Sequence, residues 1–306
     1  MILLCGIPTE APLAMVAREL DRLGRPTVVF NQRRFAEAAL DWELVSGRVA
    51  GWLRVDGRDY PLDEIDAVYT RLMDDTRLPE LERHAADSPL RRRCRSLHDG
   101  LYRWFEVSPA RVVNRSTPQG SNSSKPFQAQ IIASHGFAIP ETLITNDPEL
   151  VRDFARRHDQ VVYKSMSGVR SIVQLLTRDD LDRLDRIRWC PVQFQEYVAG
   201  TNVRVHAIGD RVLATAISGG VVDYRYSAHA DEDVVLRAYD LSDQLAQACV
   251  ALAAGLQLPF AGIDLKVAPD GRVYCFEVNP CPAFSYYESH TGQPIARTLA
   301  AYLAGL

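Results

Sequence analysis

The chain has 306 residues, 47% of them hydrophobic, with 35 basic against 39 acidic side chains and a formal net charge of −4. That is enough apolar material for a large core divided into two or three subdomains, and the near-balance of charge implies neither a nucleic-acid nor a membrane partner. No apolar run approaches the ~20 residues a membrane span needs, and six scattered cysteines without a C-x-x-C pair fit a reduced, cytoplasmic protein with no zinc site and no disulfide framework.

Met1-Ile2-Leu3-Leu4-Cys5-Gly6 is too short and uncharged for a signal peptide and reads as a first strand. A helix at about 10–23 ends at Gly24. A strand follows at 26–30, two short strands lie around 43–55, and Ile65-Asp66-Ala67-Val68-Tyr69 reads as another. Ser88-Pro89 supplies an N-cap and a first helical residue. The helix it opens carries Leu90, Cys94, Leu97, Leu101 and Trp104 or Phe105 on one stripe. Arg91, Arg92, Arg93 and Arg95 fall mostly off that stripe, as a solvated face or as a docking surface for an acidic partner.

A second unit begins near Val112-Val113-Asn114. Residues 114–124 read as a loop, Ser124 and Pro126 start a helix that Gly136 ends, and Asn146-Asp147-Pro148 starts another that runs to about His158. Strands at 160–165 and 171–176 and a helix at 178–187 complete it. The third unit has a strand at 192–197 and a hairpin, 202–208/211–218, around Gly209-Asp210. A long loop at 219–235, a helix at 240–254, a second hairpin and a last helix at 291–303 follow. The chain therefore reads as α/β (α+β), divided at 1–112, 113–190 and 191–306.

The second hairpin carries the densest chemistry. Asp270-Gly271 between alternating runs is a two-residue turn signal. Counting outward places Ala268 opposite Val273 and Asp264 opposite Glu277, with Asn279 on the same face. Ile263, Leu265, Val267, Tyr274, Phe276 and Val278 take the other, core-facing side. Two carboxylates whose Cβ atoms lie about 5 Å apart repel unless a positive charge lies between them. With an amide beside them they suit Mg²⁺, which is held by one or two carboxylates plus substrate phosphates. A solvated outer face of an edge hairpin is the competing reading.

The same count on the Gly209-Asp210 hairpin pairs Arg204 with Thr215 and His206 with Leu213, and puts Arg204 and His206 on one polar face. Lys164 ends the apolar run Val161-Val162-Tyr163 before a small-residue loop, a place that suits a phosphate. Lys125 starts a helix, where the dipole already favours anions. No P-loop pattern occurs anywhere in the chain.

In order, Lys125, Lys164, Gln195-Glu196-Tyr197-Val198, Gly200-Thr201-Asn202-Val203-Arg204, Gly262-Ile263-Asp264 and Phe276-Glu277-Val278-Asn279-Pro280 resemble the ATP-grasp carboxylate–amine ligases over about 112–306. The resemblance implies an ATP-grasp fold with an N-terminal pre-ATP-grasp α/β unit and ATP held between two α/β subdomains. It implies Lys125 and Lys164 on ATP phosphates and Gln195 to Val198 along the adenine. It puts Arg204 on phosphate and acyl phosphate, and two Mg²⁺ ions on Asp264, Glu277 and Asn279. Asn202 stands where an acid normally takes the ribose.

A narrower resemblance is to the graspetide synthetases, the microviridin-type maturases of ribosomally made peptides; the ribosomal-protein glutamate ligases are more distant. It rests on Asn114-Arg115, the run from Lys125-Pro126-Phe127-Gln128 to Asn146-Asp147-Pro148, Asp223-Tyr224-Arg225, and Glu288 with Thr291-Gly292-Gln293-Pro294-Ile295. Thr70 replaces one of two expected arginines before Arg71, and Cys281-Pro282-Ala283 replaces a glycine-containing turn. The resemblance implies activation of an Asp or Glu side chain of a precursor peptide and its linkage to Lys, Ser or Thr. Lys164, Arg204 and Arg225 are the catalytic candidates. Arg71, Arg225, His229 and Glu288 are the candidates on the substrate side, and the loop bearing Arg225 is also a candidate lid. His206 and His229 are candidate bases or ordinary hydrogen-bonded histidines. A ligase joining a small-molecule carboxylate and amine, and a non-catalytic ATP-binding regulator, are the rival readings. A homo-oligomer is among the expectations.

Overall fold

The structure, a computed structural model, describes residues 1–165, 173–219 and 234–306. Arg225, His229 and the Asp223-Tyr224-Arg225 run therefore lie outside the described residues, as does most of the small-residue loop after Lys164.

The first 113 residues alternate buried parallel strands with amphipathic helices. β1 (Ile2–Gly6) is buried throughout. α1 (Ala11–Arg22) buries Leu13, Val16 and Leu20, which recur at helical spacing, and β2 (Thr27–Asn31) follows. β3 (Ala39–Val45), β4 (Arg48–Val55) and β5 (Arg58–Pro61) form an antiparallel meander. Ser46-Gly47 and Asp56-Gly57 turn it with φ positive at both central residues, the two-residue geometry that matches strand twist. The sequence signalled two strands here, not three; β5 is too short and polar to show. β6 (Ala67–Thr70), α2 (Pro89–Val107) and β7 (Arg111–Val113) complete a parallel sheet of order β2-β1-β6-β7. Ser88 Oγ caps α2 by accepting from Arg91 N, and Cys94, Leu97, Leu101, Trp104 and Phe105 are its buried stripe.

A short helix, α3 (Ser116–Gln119), interrupts the expected loop. α4 (Lys125–Ser134) follows, then β8 (Thr142–Thr145), which no sequence signal marked. α5 (Pro148–Arg157) is capped by Asp147. β9 (Val161–Ser165), β10 (Gln174–Leu175), α6 (Arg178–Asp182) and β11 (Val192–Glu196) follow. Their antiparallel sheet has the order β10-β9-β11-β8.

The largest sheet is antiparallel, of order β14-β13-β12-β15-β16. It comprises β12 (Thr201–Ile208), β13 (Arg211–Ser218), β14 (Val235–Tyr239), β15 (Phe260–Val267) and β16 (Val273–Asn279). α7 (Asp243–Gly255) and α4 cover one face, where Ile132, Cys249 and Leu252 pack on Val203, Val205, Ile263 and Leu265. The other face is covered at one end by α8 (Ser285–Thr291) and α9 (Ile295–Ala304). Leu299 and Leu303 of α9 share a core with Ile2, Leu4, Leu13 and Tyr69, which ties the C-terminus to the first sheet. Among the described residues no helix is long and apolar enough to cross a membrane.

Candidate active site

A pocket lies between the four-stranded antiparallel sheet and the uncovered end of the five-stranded one. The first sheet and the segment after it contribute Val162, Lys164, Gln195, Glu196, Tyr197 and Val198. The second contributes Asn202, Asp264, Lys266, Phe276 and Glu277.

Asp264 faces Glu277 across β15 and β16, as the spacing predicts, but the route there differs. The loop has three residues, Pro269, Asp270 and Gly271, instead of two. Gly271 has φ +83° and its N–H donates to Ala268 O at 3.0 Å, while Ala268 N–H donates to Arg272 O at 2.9 Å. This is the type I turn closed by a left-handed glycine, and proline suits its first central position. It sets Val267 opposite Val273, one residue out of the expected register. A bulge between Asp264 and Leu265 then absorbs Phe276 and restores the pair. The core side changes in part as a result. Cys275 is buried in the core with Val273 packed against it, Tyr274 is buried as expected, and Phe276 turns to line the pocket.

The Gly209-Asp210 hairpin has the expected register, Arg204 opposite Thr215 and His206 opposite Leu213. On its other side Arg204 faces Asp264, and Arg204 Nη1 donates to Asp264 Oδ1 at 2.6 Å. Arg204 is buried, with its guanidinium 5.7 Å over the Tyr287 ring. Asn279 Nδ2 donates to the second Asp264 oxygen at 3.1 Å. Lys125 Nζ lies 2.6 Å from Glu277 Oε1 and 2.6 Å from Asn122 Oδ1. Each carboxylate thus carries a cation of this chain.

Two buried amides hold this hairpin in place. Gln128 of α4 donates from Nε2 to Val278 O at 2.8 Å and accepts from Val278 N at 2.9 Å, acting as a strand partner along the free edge of β16. Asn114 grips Phe260 through both backbone groups and donates to Pro280 O. The residues on either side of Asn279 are therefore fixed from outside the sheet. Among the described residues no three His, Cys, Asp or Glu side chains converge. The oxygen donors present are two carboxylates and a carboxamide, a set that fits Mg²⁺.

The remaining candidates are dispersed. Gln195 Nε2 donates to Thr142 Oγ1 at 2.9 Å, and Glu196 Oε1 accepts from Glu141 N at 3.0 Å, so the start of that segment is tied to the start of β8. Arg71 is bound by Glu10, with Nε to Oε1 at 2.8 Å, and donates from Nη1 to Pro282 O at 3.2 Å and towards Cys281 Sγ at 3.3 Å. Glu288 Oε2 accepts from Ala296 N at 2.7 Å and so caps α9. His206 is fully buried between Phe260 and Tyr287. Burial, and then the Arg204 charge, hold its ring well below the usual histidine range. It is a core residue rather than a base presented to the pocket.

Lys266 escaped the sequence reading. It lies opposite Asn202 across β12 and β15 and lines the pocket. Burial lowers its ammonium below the usual lysine range. The signal was present: it shares a strand face with Asp264, two residues on.

The chain belongs to the RimK-like ATP-grasp domain family, which matches residues 122–303. It is similar to human beta-citrylglutamate synthase B, at 28% identity over 221 residues. That match takes in 67% of this chain and 56% of the synthase, so the chain spans little more than half the length of the curated relatives it matches. Among solved structures it is similar to the ATP-grasp ligase PsnB in complex with a phosphomimetic variant of a minimal precursor, Mg and ADP. The identity is 27%, 99% of this chain and 97% of that one are covered, and the TM-score is 0.81. The macrocyclase MdnC from Microcystis aeruginosa MRC, bound with precursor peptide MdnA, shares the fold at 23% identity, with full coverage of both chains and a TM-score of 0.80.

Proposed function

We propose that this chain is an ADP-forming ligase that activates a carboxylate as its acyl phosphate and joins it to an amine or hydroxyl, acting on a ribosomally made precursor peptide. The observation that carries this reading is the pairing of Asp264 with Arg204 and of Glu277 with Lys125 beside a pocket floored by Gln195 to Val198. A carboxylate oxygen attacks the γ-phosphorus, the bond to the bridging oxygen breaks and ADP leaves. An amine or hydroxyl then attacks the acyl carbon, loses its proton, and inorganic phosphate departs. The first barrier is electrostatic, because an anion meets an anion. Lys125, Lys164 and Arg204 oppose it with charge fixed before the reaction begins. Mg²⁺ ions, two in this reading, held by Asp264, Glu277 and Asn279, supply further positive charge to the phosphate oxygens when bound. Asn202 takes the sugar, and Arg71, Arg225, His229 and Glu288 are assigned to the substrate side. We assign residues 1–112 to a pre-ATP-grasp unit and 113–190 and 191–306 to the two halves of the ATP site. We assign the chain to the cytoplasm, with its cysteines reduced.

The likeness to PsnB over nearly the whole chain supports a peptide substrate. The synthase and glutamate-ligase names of the curated relatives favour a second reading, the joining of free amino acids. Incubation with ATP and Mg²⁺ separates them. Acidic, Ser/Thr-rich peptides should lose one water mass per bond formed, with matching ADP release. ADP release with amino acids and none with peptides overturns the peptide reading, and release with neither overturns the ligase reading.

A further inference from the structure

Two rungs of the five-stranded sheet border the pocket through Asp264, Asn202 and Lys266. Arg204 and Asp264 face each other across β12 and β15, and two residues along the same strands Asn202 faces Lys266. All four turn the same way, since residues two apart on a strand share a face. The first rung carries the ion pair at the metal-competent end. The second lies a step of about 7 Å further on along the strands, away from that end.

Lys266 is unusual in its surroundings. Its Nζ lies 5.3 Å from the Tyr197 ring and 5.8 Å from the Phe276 ring, and these faces are its partners among the described residues. Ring faces stabilise an ammonium but accept none of its three protons in the way an oxygen does. The second rung therefore presents donors without a carboxylate, and what meets it must carry lone pairs. Phosphate oxygens belong with the first rung and adenine with Gln195 to Val198, which leaves the sugar hydroxyls as the acceptors for the second.

We infer that Lys266, together with Asn202, selects the nucleotide by donating to its ribose hydroxyl oxygens. This rests on the proposed ATP-dependent reading and adds to it a residue that sets nucleotide choice. The two aromatic rings hold the lysine stem, so the ammonium is positioned before the nucleotide arrives. Methionine keeps the stem's length and its contact with the rings and removes only the donor.

Calorimetric titration of the full chain with Mg²⁺ and ATP, 2′-deoxy-ATP or 3′-deoxy-ATP tests this without any turnover. Wild type should bind at least one deoxynucleotide about tenfold more weakly than ATP, the cost of a lost charge-assisted hydrogen bond. Lys266→Met should weaken ATP by a similar factor and reduce the ratio of ATP to deoxynucleotide affinity at least about threefold, leaving only the share that Asn202 contributes. Equal binding of the three by wild type, or a wild-type ratio retained in Lys266→Met, overturns the inference while leaving the ligase reading standing. No binding of ATP by wild type removes both.

Discussion

Lys125 Nζ lies 2.6 Å from Glu277 Oε1, so the lysine assigned to phosphate and the carboxylate assigned to metal hold each other. Metal and lysine then compete for one oxygen. In Lys125→Met, Mn²⁺ binding without nucleotide should tighten about fivefold, the worth of a partly exposed pair. ATP binding by the same variant should weaken. Electron paramagnetic resonance of free Mn²⁺ reads the first effect, and an unchanged Mn²⁺ affinity would remove Glu277 from the metal set.

The two carboxylates differ in what else they support. Asp264→Asn and Glu277→Gln should each lower turnover by about 10²-fold or more. Asp264→Asn also strips the ion pair from Arg204, which is only 7% exposed. It should cost about 2 kcal/mol in urea unfolding, whereas Glu277→Gln costs less than about 1 kcal/mol. Equal stability losses would contradict the burial argument.

Gln128 tests whether the edge of the hairpin is held from outside. Gln128→Leu conserves volume but leaves both Val278 backbone groups without their partner. A loss of about 2–3 kcal/mol is expected, with weaker metal binding because Asn279 is the next residue. Full metal affinity in a folded Gln128→Leu protein would mean that Asn279 needs no such support.

His206 makes stability depend on pH with a definite sign. Its folded-state affinity for protons is depressed, while the unfolded chain takes one near pH ~6.5. Stability is therefore complete above that value and falls as pH drops below it, by up to about 1.4 kcal/mol per unit. Urea titrations at pH 7 and pH 5 should show this slope in wild type and a shallower one in His206→Phe. The same slope in both would place the titration elsewhere.

Much of the site was legible because strand chemistry is local. The two-residue period put Asp264, Glu277 and Asn279 on one face of their hairpin, and Arg204 and His206 on one face of theirs, from spacing alone. The helix at 89–107 was equally plain, since its cap and stripe are both contiguous. β8 and α8 were missed. The first is a half-exposed edge strand with weak alternation, and the second, Ser285–Thr291, is polar and short. Arg71 and Glu288 were read for the substrate side, yet Arg71 pairs with Glu10, 61 residues away, and Glu288 caps α9 across the turn after α8, contacts that spacing along one element does not encode.

By itself the sequence determined which residues share a strand face, where capped helices such as the one opened by Ser88-Pro89 begin, and which oxygen and nitrogen donors the chain can bring to bear, because each follows from the backbone geometry of a few neighbouring residues. Only the tertiary structure decided the turn. Pro269-Asp270-Gly271 accommodates a two- or a three-residue loop, and pairing with β15 selects the longer one and the bulge that turns Phe276 into the pocket. It also decided that Arg204 meets Asp264, that His206 is core, and that Lys266 stands between Tyr197 and Phe276. Those are contacts between strands, and no local spacing encodes which strand lies beside which.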